Sequence, residues 1–229
     1  MLGTHLLGWE PIGYVEWNKY CQQVIAARVR DGFLPVAPIF TDVREFVQSG
    51  AAREYRGFAD VVTAGFPCQP FSVAGKQQGA DDERNMWPAT RDVIRDVQPE
   101  SVLLENVRGL IPAGYLGTVI GDLADLGYVG KWGVISAGAT GADHERERLW
   151  IVAHSERIGQ QKQGRRINAF RSTPEAYRQT TGLVNAVRGS ALPYVCREHD
   201  GLAFGVERLT ALGNGQVPIV AATAWRVLG

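Results

Sequence analysis

Cys68 stands between Pro67 and Pro70, directly after the apolar run Asp60-Val61-Val62-Thr63-Ala64. The run reads as a buried parallel strand, so the thiol falls just past a strand's C-terminal end, where open α/β sheets place their chemistry. Each proline fixes its own φ and steers the residue before it away from helix, which presents the thiol on a stiff loop. A lone cysteine in apolar surroundings is usually inert packing. On such a loop its thiolate would be a nucleophile. Glu105 ends the next apolar run, Ser101-Val102-Leu103-Leu104. A carboxyl at the neighbouring strand's end could serve as an acid beside that nucleophile. The plainer reading is an exposed strand-end carboxylate. Arg146 and Arg148 occupy alternate positions entering another apolar segment, so both should point to one face. Guanidinium forks there suit a carbonyl oxygen or a phosphate; the plainer reading is ion pairing with Glu145 and Glu147.

The octapeptide Gly65-Phe66-Pro67-Cys68-Gln69-Pro70-Phe71-Ser72 resembles the catalytic loop of the DNA cytosine-5 methyltransferases. Glu105-Asn106-Val107 looks like that family's Glu-Asn-Val motif. His144-Glu145-Arg146-Glu147-Arg148, running into Leu149-Trp150-Ile151-Val152, is similar to its Gln-x-Arg-x-Arg motif. His144 replaces the leading Gln and Glu145 the usual basic second position. Gly213-Asn214-Gly215-Gln216-Val217-Pro218 resembles the closing Gly-Asn motif before a C-terminal helix. Order and spacing agree over most of the chain outside residues 154–200.

The resemblance implies methyl transfer from S-adenosylmethionine to carbon 5 of cytosine in double-stranded DNA. Carbon 5 is a poor nucleophile until a thiolate adds to carbon 6, the role implied for Cys68. Glu105 would protonate or hydrogen-bond ring nitrogen 3, with the base flipped out of the duplex. Arg146 and Arg148 would hold the base's carbonyl oxygen and the DNA phosphate. For the cofactor, the family implies Glu16 at the ribose, Trp17 against the adenine, Asp42 at the adenine amine, Gly65 and Pro67 at the methionine side, and Asn214 and Gln216 from the closing motif. Residues Ser72 to Asn85, with Lys76 and two glycines, would close over DNA.

The elements that must carry these residues alternate. A strand over Pro11–Val15 ends at Glu16, and a helix spans Trp17–Arg30. Pro38–Phe40 is a short strand leading to Asp42. After the cysteine strand come a helix over Met86–Val97, the Ser101 strand, and a helix over Leu116–Leu126 stopped by Gly127. Strands near Tyr128–Ile135 and Glu147–Ala153 follow, and Pro218–Leu228 forms a last helix, with proline tolerated in its first turn. This order predicts an α/β, Rossmann-like methyltransferase sheet, mostly parallel. We expect a catalytic domain over 1–153, a target-recognition insert over 154–204, and a returning helix within 205–229.

Composition sets few limits. The chain is 45% hydrophobic, ordinary for a globular protein, and has no apolar run approaching a membrane span. Three widely spaced cysteines give no disulfide framework or zinc spacing, and four scattered histidines argue against a metal site. A cytoplasmic setting, no metal and no membrane are expected. Net charge is zero, but residues 154–200 hold eight Lys and Arg against four Asp and Glu. That basic excess suits the insert, where Arg165 and Arg166 are candidate phosphate contacts. A monomer is expected, since a cleft around DNA needs no second copy; a cognate restriction endonuclease is a partner that the resemblance allows.

One departure stands out. The family opens with a strand and a glycine-rich turn, whereas Met1-Leu2-Gly3-Thr4-His5-Leu6-Leu7-Gly8-Trp9 matches the helix after it. The sheet is expected to lack its first strand, with cofactor binding weakened. Two other readings therefore stay open: a catalytically impaired remnant that binds DNA or a partner, and a tRNA cytosine-5 methyltransferase.

Overall fold

Alternation in the apolar segments builds two small sheets with helices against them. The computed structural model describes residues 2–67, 85–156 and 215–229. Helix α1 (Leu2–Leu6) opens the chain, as the sequence predicts. Strands β1 (Tyr14–Val15) and β2 (Ile39–Phe40) pair in parallel around α2 (Lys19–Arg30). Asn18 caps α2 by accepting from Cys21 N at 3.1 Å, and Arg28 and Arg30 sit in its last turn, where the helix dipole favours cations.

The second sheet has the order β3-β4-β6-β5, comprising β3 (Val61–Gly65), β4 (Ser101–Asn106), β5 (Tyr128–Ile135) and β6 (Arg148–Ser155). β3 and β4 run parallel; β6 is antiparallel to both β4 and β5. β3, β4 and β5 therefore run the same way, and β6 alone is reversed. β5 and β6 follow one another through a short turn at Gly138–Thr140 rather than a crossover helix, so they must run in opposite directions. No ladder joins β1 to β3 among the described residues; Phe40 and Val62 share one apolar cluster instead. This break lies where the sequence reading leaves out a strand.

β4 is apolar along its length because both its faces are covered. Val102 and Leu104 pack with Leu149 and Ile151 of β6 under α5 (Trp87–Val97) and α6 (Tyr115–Asp125). Leu103 packs with Trp150 and Val152 under α7 (Pro218–Leu228). α6 ends at Gly127, whose φ of 82° is the left-handed conformation expected of a helix stop. Two short helices, α3 (Val43–Gln48) and α4 (Ala51–Glu54), escape the sequence reading. No described helix is long and apolar enough to cross a membrane.

Candidate active site

The period of the strands places the site. Gly65, the last residue of β3, stands in register with Glu105 of β4, and Glu105 stands opposite Trp150 of β6. Opposed residues share a sheet face, so Glu105 and Arg148, two residues before Trp150, lie on the face that α7 covers. Closer to the sheet's middle that face is filled by Leu103, Trp150 and Val152. At the strand ends the apolar cover stops and the carboxyl and guanidinium meet.

Arg148 Nε lies 2.9 Å from Glu105 Oε1, and only 12% of the Glu105 side chain is exposed. Burial pushes the Glu105 carboxyl above its ordinary value; the charges of Arg148 and Arg146, with hydrogen bonds from Gln216 and Arg148, oppose this without cancelling it. Arg146 is held below the usual guanidinium range by burial and by the neighbouring Arg148 charge, with Glu105 acting the other way. Its Nη2 donates to Gly215 O at 2.8 Å. The plainer reading of the arginines fails for Arg148. Its carboxylate partner is Glu105, while Glu147 takes Arg108 at 2.8 Å. The structure thus brings together Gly65, Glu105, Arg146, Arg148 and Gln216.

Asn106 lies beside Glu105 and takes no role from the sequence alone. It is 3% exposed. Its Nδ2 donates to Phe66 O at 3.1 Å, and its Oδ1 accepts from Val107 N at 2.8 Å. It thereby ties the exit of β4 to the backbone two residues before Cys68. The available signal was an amide ending an apolar strand, since a buried amide must find partners.

Of the proposed cofactor residues, Glu16, Trp17 and Asp42 lie elsewhere on the fold, at β1 and β2. Glu16 follows β1 and accepts from Asn18 N at 2.8 Å. Trp17 beside it is 79% exposed. Asp42 follows β2 and caps α3, accepting from Arg44 N at 2.7 Å. β1 and β2 are in register, Val15 with Phe40, so both acids leave the same end of a parallel pair. Pro67 is exposed beyond Phe66. Cys68, Ser72, Lys76, Arg165, Arg166 and Asn214 lie outside the described residues. Among the described residues, no group of three or more His, Cys, Asp or Glu could hold a metal.

Comparison with known proteins gives the family. A family model for C-5 cytosine-specific DNA methylase matches residues 1–201. The type II methyltransferase M.NgoMIV of Neisseria gonorrhoeae is 39% identical over 155 residues, covering 66% of this chain and 47% of that protein. M.HpaII of Haemophilus parainfluenzae is 30% identical over 220 residues, covering 91% of this chain and 56% of its own length. The chain thus spans about half the length of these relatives. Among solved structures, a DNMT2 mutant of Spodoptera frugiperda superposes with a TM-score of 0.52 at 18% identity, covering 68% of this chain and 47% of that one. A putative DNA modification methyltransferase from an Escherichia coli prophage gives 0.53 at 20% identity, covering 69% and 44%. These two likenesses speak to the fold alone. The match over residues 1–201, on a strand-end site of this composition, shows that the chain belongs to the C-5 cytosine-specific DNA methylase family.

Proposed function

We propose that this protein methylates carbon 5 of cytosine in double-stranded DNA through a covalent adduct at Cys68. The observation that carries the reading is the buried Glu105–Arg148 pair, in register with Gly65 three residues before Cys68. The Cys68 thiolate adds to carbon 6 of a flipped cytosine. Glu105, its carboxyl raised by burial, protonates or hydrogen-bonds ring nitrogen 3 and so takes up the charge that the addition creates. Arg148 holds Glu105, and Arg146 supplies a second cation at the same strand end. After methylation the carbon 5 proton leaves to a base, and the thiolate is eliminated as the ring regains its double bond.

S-adenosylmethionine, when bound, supplies the methyl group. The residues present fit it. Glu16 and Asp42 offer acceptors at the ends of two paired parallel strands, and Trp17 offers an open indole face between them in sequence. Glu16 would take ribose hydroxyls, Asp42 the adenine amine and Trp17 the ring, with Gly65 and Pro67 at the methionine side and Asn214 from the closing motif. Ser72, Lys76, Arg165 and Arg166 are the proposed DNA contacts, the two arginines from the 154–204 insert.

The test is covalent trapping. The protein is mixed with S-adenosylmethionine and DNA carrying 5-fluorocytosine at a range of candidate sites. Fluorine cannot leave as a proton, so a working enzyme stalls as a denaturation-resistant adduct that Cys68→Ala does not form. An adduct that persists in Cys68→Ala would overturn the assignment. The second reading that the sequence leaves open is a non-catalytic protein that binds DNA. DNA binding without adduct or methyl transfer would select it.

A further inference from the structure

The closing segment supplies a side chain to the acid itself. The Gln216 amide donates a hydrogen bond to the Glu105 carboxyl. Gly65 makes room for this contact: a Cβ there would lie 3.1 Å from both Gln216 Nε2 and Glu105 Oε2. Arg148 Nε holds Oε1 at 2.9 Å, while Oε2 lies beside Gly65, as Gln216 Nε2 does. The bond from Arg146 Nη2 to Gly215 O anchors the backbone beside Gln216. Sequence motif alone put Gln216 with the cofactor; its contact is with the acid.

We propose that Gln216 is a positioning residue, which with Arg148 clamps the Glu105 carboxyl from two sides and leaves one edge of it to face the reacting base. A carboxyl held at only one oxygen can rotate about its last bond; donors on both sides fix its plane. The identity of the reacting base rests on the methyltransferase reading above, whereas the clamp itself does not. Among the described residues, the charged groups that face Glu105 are Arg146 and Arg148, both from the segment entering β6. Among the described residues, β3 contributes Gly65 and the closing segment the neutral Gln216 amide. A neutral donor favours the ionised carboxyl, so its removal must raise the Glu105 titration further.

The full chain, with glutamates carrying carbon-13 at the side-chain carboxyl, tests this by NMR, with Glu105→Gln identifying the signal. In Gln216→Leu the Glu105 signal should titrate at higher pH than in the wild type. Gln216→Glu should move it the same way, by placing a second carboxyl beside it. Methyl transfer near neutral pH should fall about tenfold in both, the effect of one lost hydrogen bond to a charged group, with S-adenosylmethionine affinity unchanged by calorimetry. An unmoved Glu105 titration in both variants overturns the proposal. So does a loss of S-adenosylmethionine affinity with the titration unmoved, which would return Gln216 to the cofactor. A wild type that neither traps nor methylates DNA, with the titration still moved by both variants, supports the clamp and sinks only the methyltransferase reading.

Discussion

Arg148 reaches diagonally across the β4–β6 ladder to set its Nε 2.9 Å from Oε1 of Glu105. The side chains are 24% and 12% exposed, so the pair is neither a surface bridge nor a sealed one. Surface bridges contribute little, and in buried ones the cost of removing charges from water rivals their attraction. Here burial wins on Glu105, whose carboxyl stays above its ordinary value despite two nearby arginines. The group is thus a poor stabiliser and a better acid.

Glu105→Gln should separate those two properties. A carboxyl raised in the folded state stabilises the fold less as pH rises above its unfolded value near 4.5, because the folded chain then resists losing the proton that the unfolded chain releases. Glutamine carries no such cost. The variant should match or exceed the wild-type melting temperature above that pH, with its advantage growing as pH rises. Its methyl transfer should fall about 10²–10⁴-fold, the usual contribution of a general acid. Thermal unfolding from pH 4 to 8 and single-turnover methylation check both. A variant that melts well below the wild type at pH 8 would show that the ion pair outweighs burial.

Arg148→Ala should do the reverse. It strands a mostly buried carboxylate, and we expect a loss of about 1–3 kcal/mol at pH 8, less than for a sealed pair because both groups retain some water. The loss should shrink toward pH 4, where Glu105 is protonated and needs no cation. Urea unfolding at the two pH values measures it; an equal loss at both would mean that Arg148 acts by packing.

Gly65→Ala probes crowding. The new methyl would stand 3.1 Å from both Glu105 Oε2 and Gln216 Nε2, closer than ordinary contact, so both must give by a few tenths of an ångström. A displacement of the acid by a few tenths of an ångström should cost about 10-fold or more in methyl transfer while unfolding stays within about 1 kcal/mol. Wild-type activity in this variant would show that the carboxyl's position is not critical.

Asn106→Ala removes the tie between β4 and the start of the cysteine loop. Phe66 O and Val107 N each lose a partner next to a buried position, for an expected cost of about 1–3 kcal/mol. Adduct formation at Cys68 should slow by more than the unfolded fraction explains. Asn106→Asp keeps the acceptor for Val107 N but cannot donate to Phe66 O, so it should restore stability in part and adduct rate hardly at all. Trapping rates and urea curves on both variants decide this.

Much of the fold is legible because apolar patterning is local. The β4 run, the Pro218–Leu228 helix and the Gly127 stop were all readable from a few residues each. α3 and α4 are not, because a strand-end acid such as Asp42 reads equally as a ligand or as a helix cap, and only the fold shows that its carboxylate caps α3. The direction of β6 was not, because periodicity reports a strand's faces and not its sense. In the site, the alternate spacing of Arg146 and Arg148 foretold one shared face, and Glu105 stood out as the acid ending an apolar run. Asn106 and Gln216 drew either no role or one from motif position, because an amide's part depends on what it touches.

The sequence by itself determined which side chains end the strands and, through their alternation, which face each occupies. That follows from backbone geometry, which the residue order dictates. Only the tertiary structure decided the acid's company. The β3–β4 and β4–β6 registers bring Gly65, Glu105 and Arg148 together, and the return of α7 carries Gln216 to them. Register and helix return are set by packing between segments far apart in the chain, where no local pattern can specify them.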